Sequence, residues 1–165
     1  MTLQVAGFLE HSTVNGIGLR SVLFVSGCNH ACPDCQNEAM QDQCYGESIA
    51  ISTLYTRIMK NKPIIDGITF SGGEPFDQCN VLAKLAKLLK EEGLNIWCYT
   101  GYTYELLQAS PKYHSLLELI DVLVDGPYIK ALANPNLEYR GSSNQHIYAL
   151  KYGKIVECLD DMFLL

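Results

Sequence analysis

No stretch of this chain approaches the roughly 18–20 consecutive apolar residues that a membrane-spanning helix needs, so a helical membrane protein is not expected. The N-terminal segment, MTLQVAGFLEHSTVNG, has no basic start followed by a long apolar stretch and does not read as a secretory leader; the expected location is the cytoplasm. Basic residues are few: 12 Lys and Arg stand against 18 Asp and Glu, for a net charge of −6, and no Lys/Arg cluster breaks the acidic balance. A chain of that charge has no general attraction for phosphate backbones, so a nucleic-acid partner is not expected, and without a long apolar run neither is a membrane. Low-complexity tracts, internal repeats and linkers rich in Pro, Gly or Ser are also missing. Residues 1–165 therefore read as a single domain, with a motif-bearing core over about 14–150.

Hydrophobic residues make up 48% of the chain, enough for a packed interior. Seven cysteines are present, an odd number that suits a reducing compartment better than a disulfide framework. Cys28, Cys32 and Cys35 lie close together, whereas Cys44, Cys79, Cys98 and Cys158 are scattered.

Patterning predicts alternating strands and helices. Ser21–Val25, Gly67–Ser71, Leu94–Tyr99 and Asp121–Val124 are short apolar runs rich in β-formers. His146–Leu150 looks extended, as do Tyr139 and Arg140, and Lys154–Cys158 offers one more strand. Ile51, Leu54, Tyr55 and Ile58 fall on one helix face. A second helix carries Val81, Leu82, Leu85, Leu88 and Leu89, with Asp77 as its expected cap and Gly93 as its stop. Shorter helices are expected between Tyr104 and Ile120, broken at Pro111. Such alternation predicts an α/β fold with a mainly parallel sheet. The Gly-rich and polar segments follow the strands, so the cysteine loop, Gly72-Gly73-Glu74, Thr100-Gly101-Tyr102 and Asp125-Gly126 should gather at the C-terminal strand ends, where ligands bind.

The cysteines have the spacing C-x-x-x-C-x-x-C. Three thiolates on a four-iron cluster leave one iron with an open position, which suits activation of a bound small molecule. Zinc is the other reading, with His30 or Cys44 as fourth ligand, although a second C-x-x-C or H-x-x-x-H pair is missing. Burial without any metal is the third. The two glycines of Ser71-Gly72-Gly73-Glu74-Pro75 would let a ligand lie against the main chain, and Glu74 could accept bonds from an ammonium group. Asp125 could orient a carboxylate or cation, or merely form an Asp-Gly-Pro turn. Arg20 and Arg140 could meet carboxylates or a partner chain, or be ordinary surface arginines. Trp97, Phe70 and Cys98 read as core, and His11, His30, His114 and His146 show no ligand spacing.

The cysteine motif followed by Gly-Gly-Glu-Pro resembles the radical S-adenosylmethionine enzymes. Val14-Asn-Gly-Ile-Gly18 with Arg20, LFVSGC at Leu23–Cys28, Thr100-Gly101-Tyr102, LVDG at Leu123–Gly126 and RGSSNQ at Arg140–Gln145 are similar to the glycyl-radical activases of anaerobic ribonucleoside-triphosphate reductases. The resemblance implies a partial (βα) barrel of radical S-adenosylmethionine type. It implies a [4Fe–4S] cluster on Cys28, Cys32 and Cys35, with S-adenosylmethionine held by Gly72, Gly73 and Glu74 at its methionine end. Main chain beside the third cysteine, at Asp34, Cys35 and Gln36, would meet the adenine. It implies reductive cleavage of that cofactor, a glycyl radical on the large reductase subunit as partner, and an external one-electron donor such as flavodoxin. No acid/base side chain is expected to be catalytic, because the cofactors carry the chemistry. Within the same superfamily, another glycyl-radical activase is the nearest alternative; a non-catalytic zinc module is the more distant one.

Overall fold

A computed structural model of the chain describes residues 1–30, 35 and 38–163. Eight strands form one sheet: β1 (Thr2–Ser12), β2 (Arg20–Val25), β3 (Glu47–Ala50), β4 (Gly67–Gly72), β5 (Asn95–Tyr99), β6 (Val122–Asp125), β7 (His146–Lys151) and β8 (Lys154–Cys158). Their order is β3-β1-β2-β4-β5-β6-β7-β8. The centre, β2-β4-β5-β6, is parallel as the βα alternation requires, and antiparallel strands extend it on both sides. The helices α1 (Ile51–Asn61), α2 (Cys79–Glu91), α3 (Tyr104–Ala109) and α4 (His114–Leu117) provide the crossovers.

Strand alternation sorts the side chains to two faces. Leu23, Val25, Ile68, Phe70, Ile96, Cys98 and Leu123 join the buried faces of α1 and α2 in the main core. Trp97, Val122, Val124 and Ile147 point to the opposite face, where they form a smaller cluster with Leu159 and Phe163. Helices thus cover one face, and the C-terminal part of the other is left open, as in a partial (βα) barrel.

The expected helix stripe on α2 is narrower than its sequence suggests: Leu82, Leu85 and Leu89 are buried, and Leu88 is exposed. Asp77 does not cap α2. A short 3-10 turn, Pro75–Gln78, precedes the helix, whose N-cap is Gln78 without a side-chain bond; the Asp77 carboxylate accepts from Tyr102 Oη at 2.7 Å instead. At the other end Gly93 closes the helix as expected. Its φ is +80°, its amide donates to Lys90 O and the Leu94 amide donates to Leu89 O, the paired bonds of a Schellman motif. Tyr139 and Arg140 belong to no strand, and Tyr139 has a φ of +64°, outside extended geometry.

Candidate functional site

The cysteine loop leaves the sheet at the end of β2 and comes back beside the point of departure. The Gly27 amide donates to Met40 O at 2.7 Å and the Cys28 amide to Gln41 O at 3.0 Å, so the base of the loop is stitched shut. The turn after β4 is fixed to the same base: the Gly73 amide donates to Val25 O and the Glu74 amide to Gly27 O, both at 2.7 Å. This close approach needs glycine. A Cβ on Gly72, whose φ is +102°, would stand 2.5 Å from Val25 O, and one on Gly73 would collide with Gly27 O.

A cavity of about 500 Å³ opens at these strand ends, on the face that the helices leave free. Its wall includes Cys28, Cys35, Gly72, Gly73, Thr100, Gly101 and Gly126, so all four segments expected at one rim do meet there. Tyr99, Tyr128, Tyr139, Arg140 and Gln145 line it as well. Cys32, Asp34 and Gln36 lie outside the described residues. Of the remaining cysteines, Cys44 and Cys158 are exposed, and Cys79 and Cys98 are buried. Burial pushes the Cys98 thiol well above the usual range, which suits packing rather than ligation.

Glu74 is fully buried, at 0% exposure. Its carboxylate accepts from the Phe76 amide (3.0 Å), from Thr100 Oγ1 (2.9 Å to each oxygen) and from the Gly101 amide (2.8 Å). His30 Nε2 lies 2.6 Å from Oε1, and because an ionised carboxylate only accepts, the ring donates from that nitrogen. The hydrogen bond to Glu74 raises the His30 pKa above its ordinary value, against the opposing effect of burial. The imidazole also meets Tyr102 edge-on, at 4.4 Å between centroids. The sequence offers His30 only as a fourth ligand in the zinc reading, and nothing in its spacing points to Glu74. Its only signal was its position inside the cysteine motif.

The other singled-out residues are separated by the fold. Arg20 lies at the N-terminal end of β2, far from the cysteines, at 1% exposure. It donates to Thr69 Oγ1, to Ile17 O, to Ile68 O and to both Asn95 O and Oδ1, and it stacks over Trp97. Burial pushes its guanidinium down to about 10, which leaves it charged at neutral pH. Asp125 is 2% exposed and accepts from the Tyr104 amide (2.7 Å) and the His146 amide (3.1 Å); burial raises its carboxyl pKa. It ties the start of α3 and of β7 to the end of β6. Arg140 donates to Gln145 O and Asp160 O beneath the cavity wall.

The donor set fits the cofactors that the sequence implies. Two thiols of the motif and a side-chain-free ledge share a cavity of about 500 Å³, within the roughly 300–1,000 Å³ usual for small-molecule sites.

Comparison with known proteins follows the same line. Residues 14–148 match the family model described as a 4Fe-4S single cluster domain. The anaerobic ribonucleoside-triphosphate reductase-activating protein of Vibrio cholerae is 40% identical over 148 residues, which cover 82% of this chain and 90% of that one. Its counterpart in Escherichia coli K12 is 38% identical over 151 residues, covering 84% and 93%. That of Enterobacteria phage T4 is 34% identical over 141 residues, covering 82% and 87%. Among solved structures, QueE from Escherichia coli shares the fold, with a TM-score of 0.50 at 15% identity over 62% of this chain and 54% of that one. The chain belongs to the 4Fe-4S single cluster domain family and, within it, to the anaerobic ribonucleoside-triphosphate reductase-activating proteins.

Proposed function

We propose that this chain activates an anaerobic ribonucleoside-triphosphate reductase by reductive cleavage of S-adenosylmethionine, leaving a glycyl radical on that partner. The observation that carries this reading is the meeting of Cys28, Cys35 and the Gly72–Gly73 ledge in one cavity at the C-terminal ends of parallel strands, in a chain of this family. Cys28, Cys32 and Cys35 would hold the [4Fe–4S] cluster. Gly72, Gly73 and Glu74, the last through its main chain, would form the shelf for the methionine end, and main chain at Asp34, Cys35 and Gln36 would face the adenine. When bound, cluster and cofactor supply one-electron cleavage of the sulfur–C5′ bond and, through it, removal of a hydrogen atom from the partner's glycine.

The chain's own contribution is placement. Glycines 72 and 73 let the cofactor lie against main chain, where a side chain would hold it away from the thiols. The stitched loop base fixes where Cys28 starts. The glycine-bearing segment of the partner would enter the same cavity, whose lining also includes Tyr128, Tyr139 and Gln145. We read residues 1–165 as one domain working in the cytoplasm with a flavodoxin-type electron donor.

The test is anaerobic reconstitution with iron and sulfide, then reduction in the presence of S-adenosylmethionine. Release of 5′-deoxyadenosine and methionine is expected, and a glycyl radical signal by electron paramagnetic resonance after addition of a cognate reductase. A protein carrying zinc without labile sulfide would overturn the reading. Retained cleavage in Cys32→Ala would overturn the ligand assignment.

A further inference from the structure

We propose that His30 is a positioning residue that sets the cysteine loop against the methionine shelf by clasping the buried Glu74 carboxylate. The inference rests on the functional reading above and deepens it. Its starting point is that Glu74 has no exposed surface and already receives four kinds of donor, from Phe76, Thr100, Gly101 and His30. With those bonds in place the carboxylate serves as a fixed post between elements, and it reaches a ligand only through the groups that it holds.

Three segments converge on this post, each following one of three adjacent parallel strands. His30 comes from the loop after β2, Glu74 from the turn after β4, and Thr100 and Gly101 from the turn after β5. The His30 bond is short, at 2.6 Å, and charge-assisted, the kind that fixes geometry best. His30 stands between Cys28 and Cys32 in sequence, so where its ring is held decides where the ligand-bearing part of the loop sits. Gly101 makes the clasp sterically possible: a Cβ there would lie 2.5 Å from His30 Cδ2. Tyr102 closes the other side of the ring through its edge-on contact and is itself held by Asp77. The half-buried imidazole also lines the cavity, next to the space the cofactor would fill. Loop and shelf are thereby placed as one unit, and a ligand that bridges them meets a preset separation.

The reconstituted protein tests this, with His30→Ala, His30→Gln and Gly101→Ala beside the parent. A glutamine amide reaches about as far as Nε2 and can donate to Glu74, whereas alanine cannot. All four proteins are first assayed for iron and sulfide, and for iron release to a chelator. In His30→Ala the dissociation constant for S-adenosylmethionine should rise about tenfold, the loss of one hydrogen bond to a charged group. The change that S-adenosylmethionine causes in the spectrum of the reduced cluster should be lost with it. Gly101→Ala should follow His30→Ala, and His30→Gln should recover to within about threefold of the parent. Cluster loss in His30→Ala, with retention in His30→Gln, would also support the clasp. Parent-like affinity and spectral change in both His30→Ala and Gly101→Ala would overturn it. So would loss of iron in both His30 variants, which would make the residue a ligand. A parent that binds no S-adenosylmethionine would instead bring down the functional reading, and the parent control alone reveals that.

Discussion

At the N-terminal ends of β2, β4 and β5, Arg20 donates to Thr69, Ile68 and Asn95; at the C-terminal ends of the same strands, Glu74 and its neighbours close the turns through His30, Thr100 and Gly101. Each end buries one formal charge and meets it with several hydrogen bonds, which is how a protein interior tolerates a charge at all. The two ends differ in their surroundings. Arg20 is sealed between main chain and the Trp97 ring, away from the cavity. Glu74 is sealed too, but three of its donors, His30, Thr100 and Gly101, also line the cavity. One clasp therefore acts on stability alone. The other couples stability to the placement of ligands.

That contrast can be broken most forcefully at Arg20. Arg20→Ala leaves the oxygens of Thr69, Ile68 and Asn95 without their donor inside the core, and a loss of about 3–5 kcal/mol is expected, read as a lower urea midpoint. Against a usual total of about 5–15 kcal/mol, little folded protein should remain in the less stable case. A gentler pair sharpens the comparison. Thr100→Val removes a hydroxyl that bonds the Glu74 carboxylate, and about 2 kcal/mol should be lost together with affinity for S-adenosylmethionine. Thr69→Val, the matching change at the far end, removes the acceptor for Arg20 Nε and the donor to Asn15 O. It should cost about 1–2 kcal/mol and leave the cofactor's dissociation constant unchanged. A shift of that constant in Thr69→Val would erase the distinction between the ends.

The smallest effect concerns a third clasp, at the edge of the sheet. Burial pushes the Asp160 carboxyl up, but the bonds from His146 Nδ1 and the Ile147 amide, both 2.7 Å, and nearby Arg140 hold it below the ordinary value. Its folded pKa is thus lower than its unfolded one. The contribution is complete above the unfolded value, near pH 4, and is lost as pH falls through the folded value. Asp160→Asn should flatten the acid side of the stability curve by about 1 kcal/mol and leave activity at neutral pH intact.

Much of this arrangement was legible in the sequence, and the illegible parts share a physical cause. Short apolar runs ending in glycine marked β2, β4, β5 and β6, because a strand buried on both faces can be little else. The cysteine spacing and the Gly-Gly turn marked the rim. Strand β1 escaped notice because it is only half buried and carries register shifts between Val5 and Gly7 and between Leu9 and Ser12, which blur its alternation. β3, with only four residues, is too short to show a period. Arg20 and His30 were underestimated for a common reason. Their partners are 44 to 75 residues away in sequence, in the case of Glu74, Thr69, Ile68 and Asn95, so no local pattern announces them. The Asp77 cap failed because a proline-led 3-10 turn displaced the start of α2.

The seam at Gly27 and Cys28 has one more consequence. Because the amides there donate to Met40 and Gln41, the segment between them is a closed excursion whose two ends are fixed by the body of the protein. The entropy of bringing those ends together depends only weakly on contour length, about 0.6 kcal/mol for each doubling. The part of the excursion beyond Cys35 can therefore change in length with little penalty to the sheet, provided the two bonds at its neck survive.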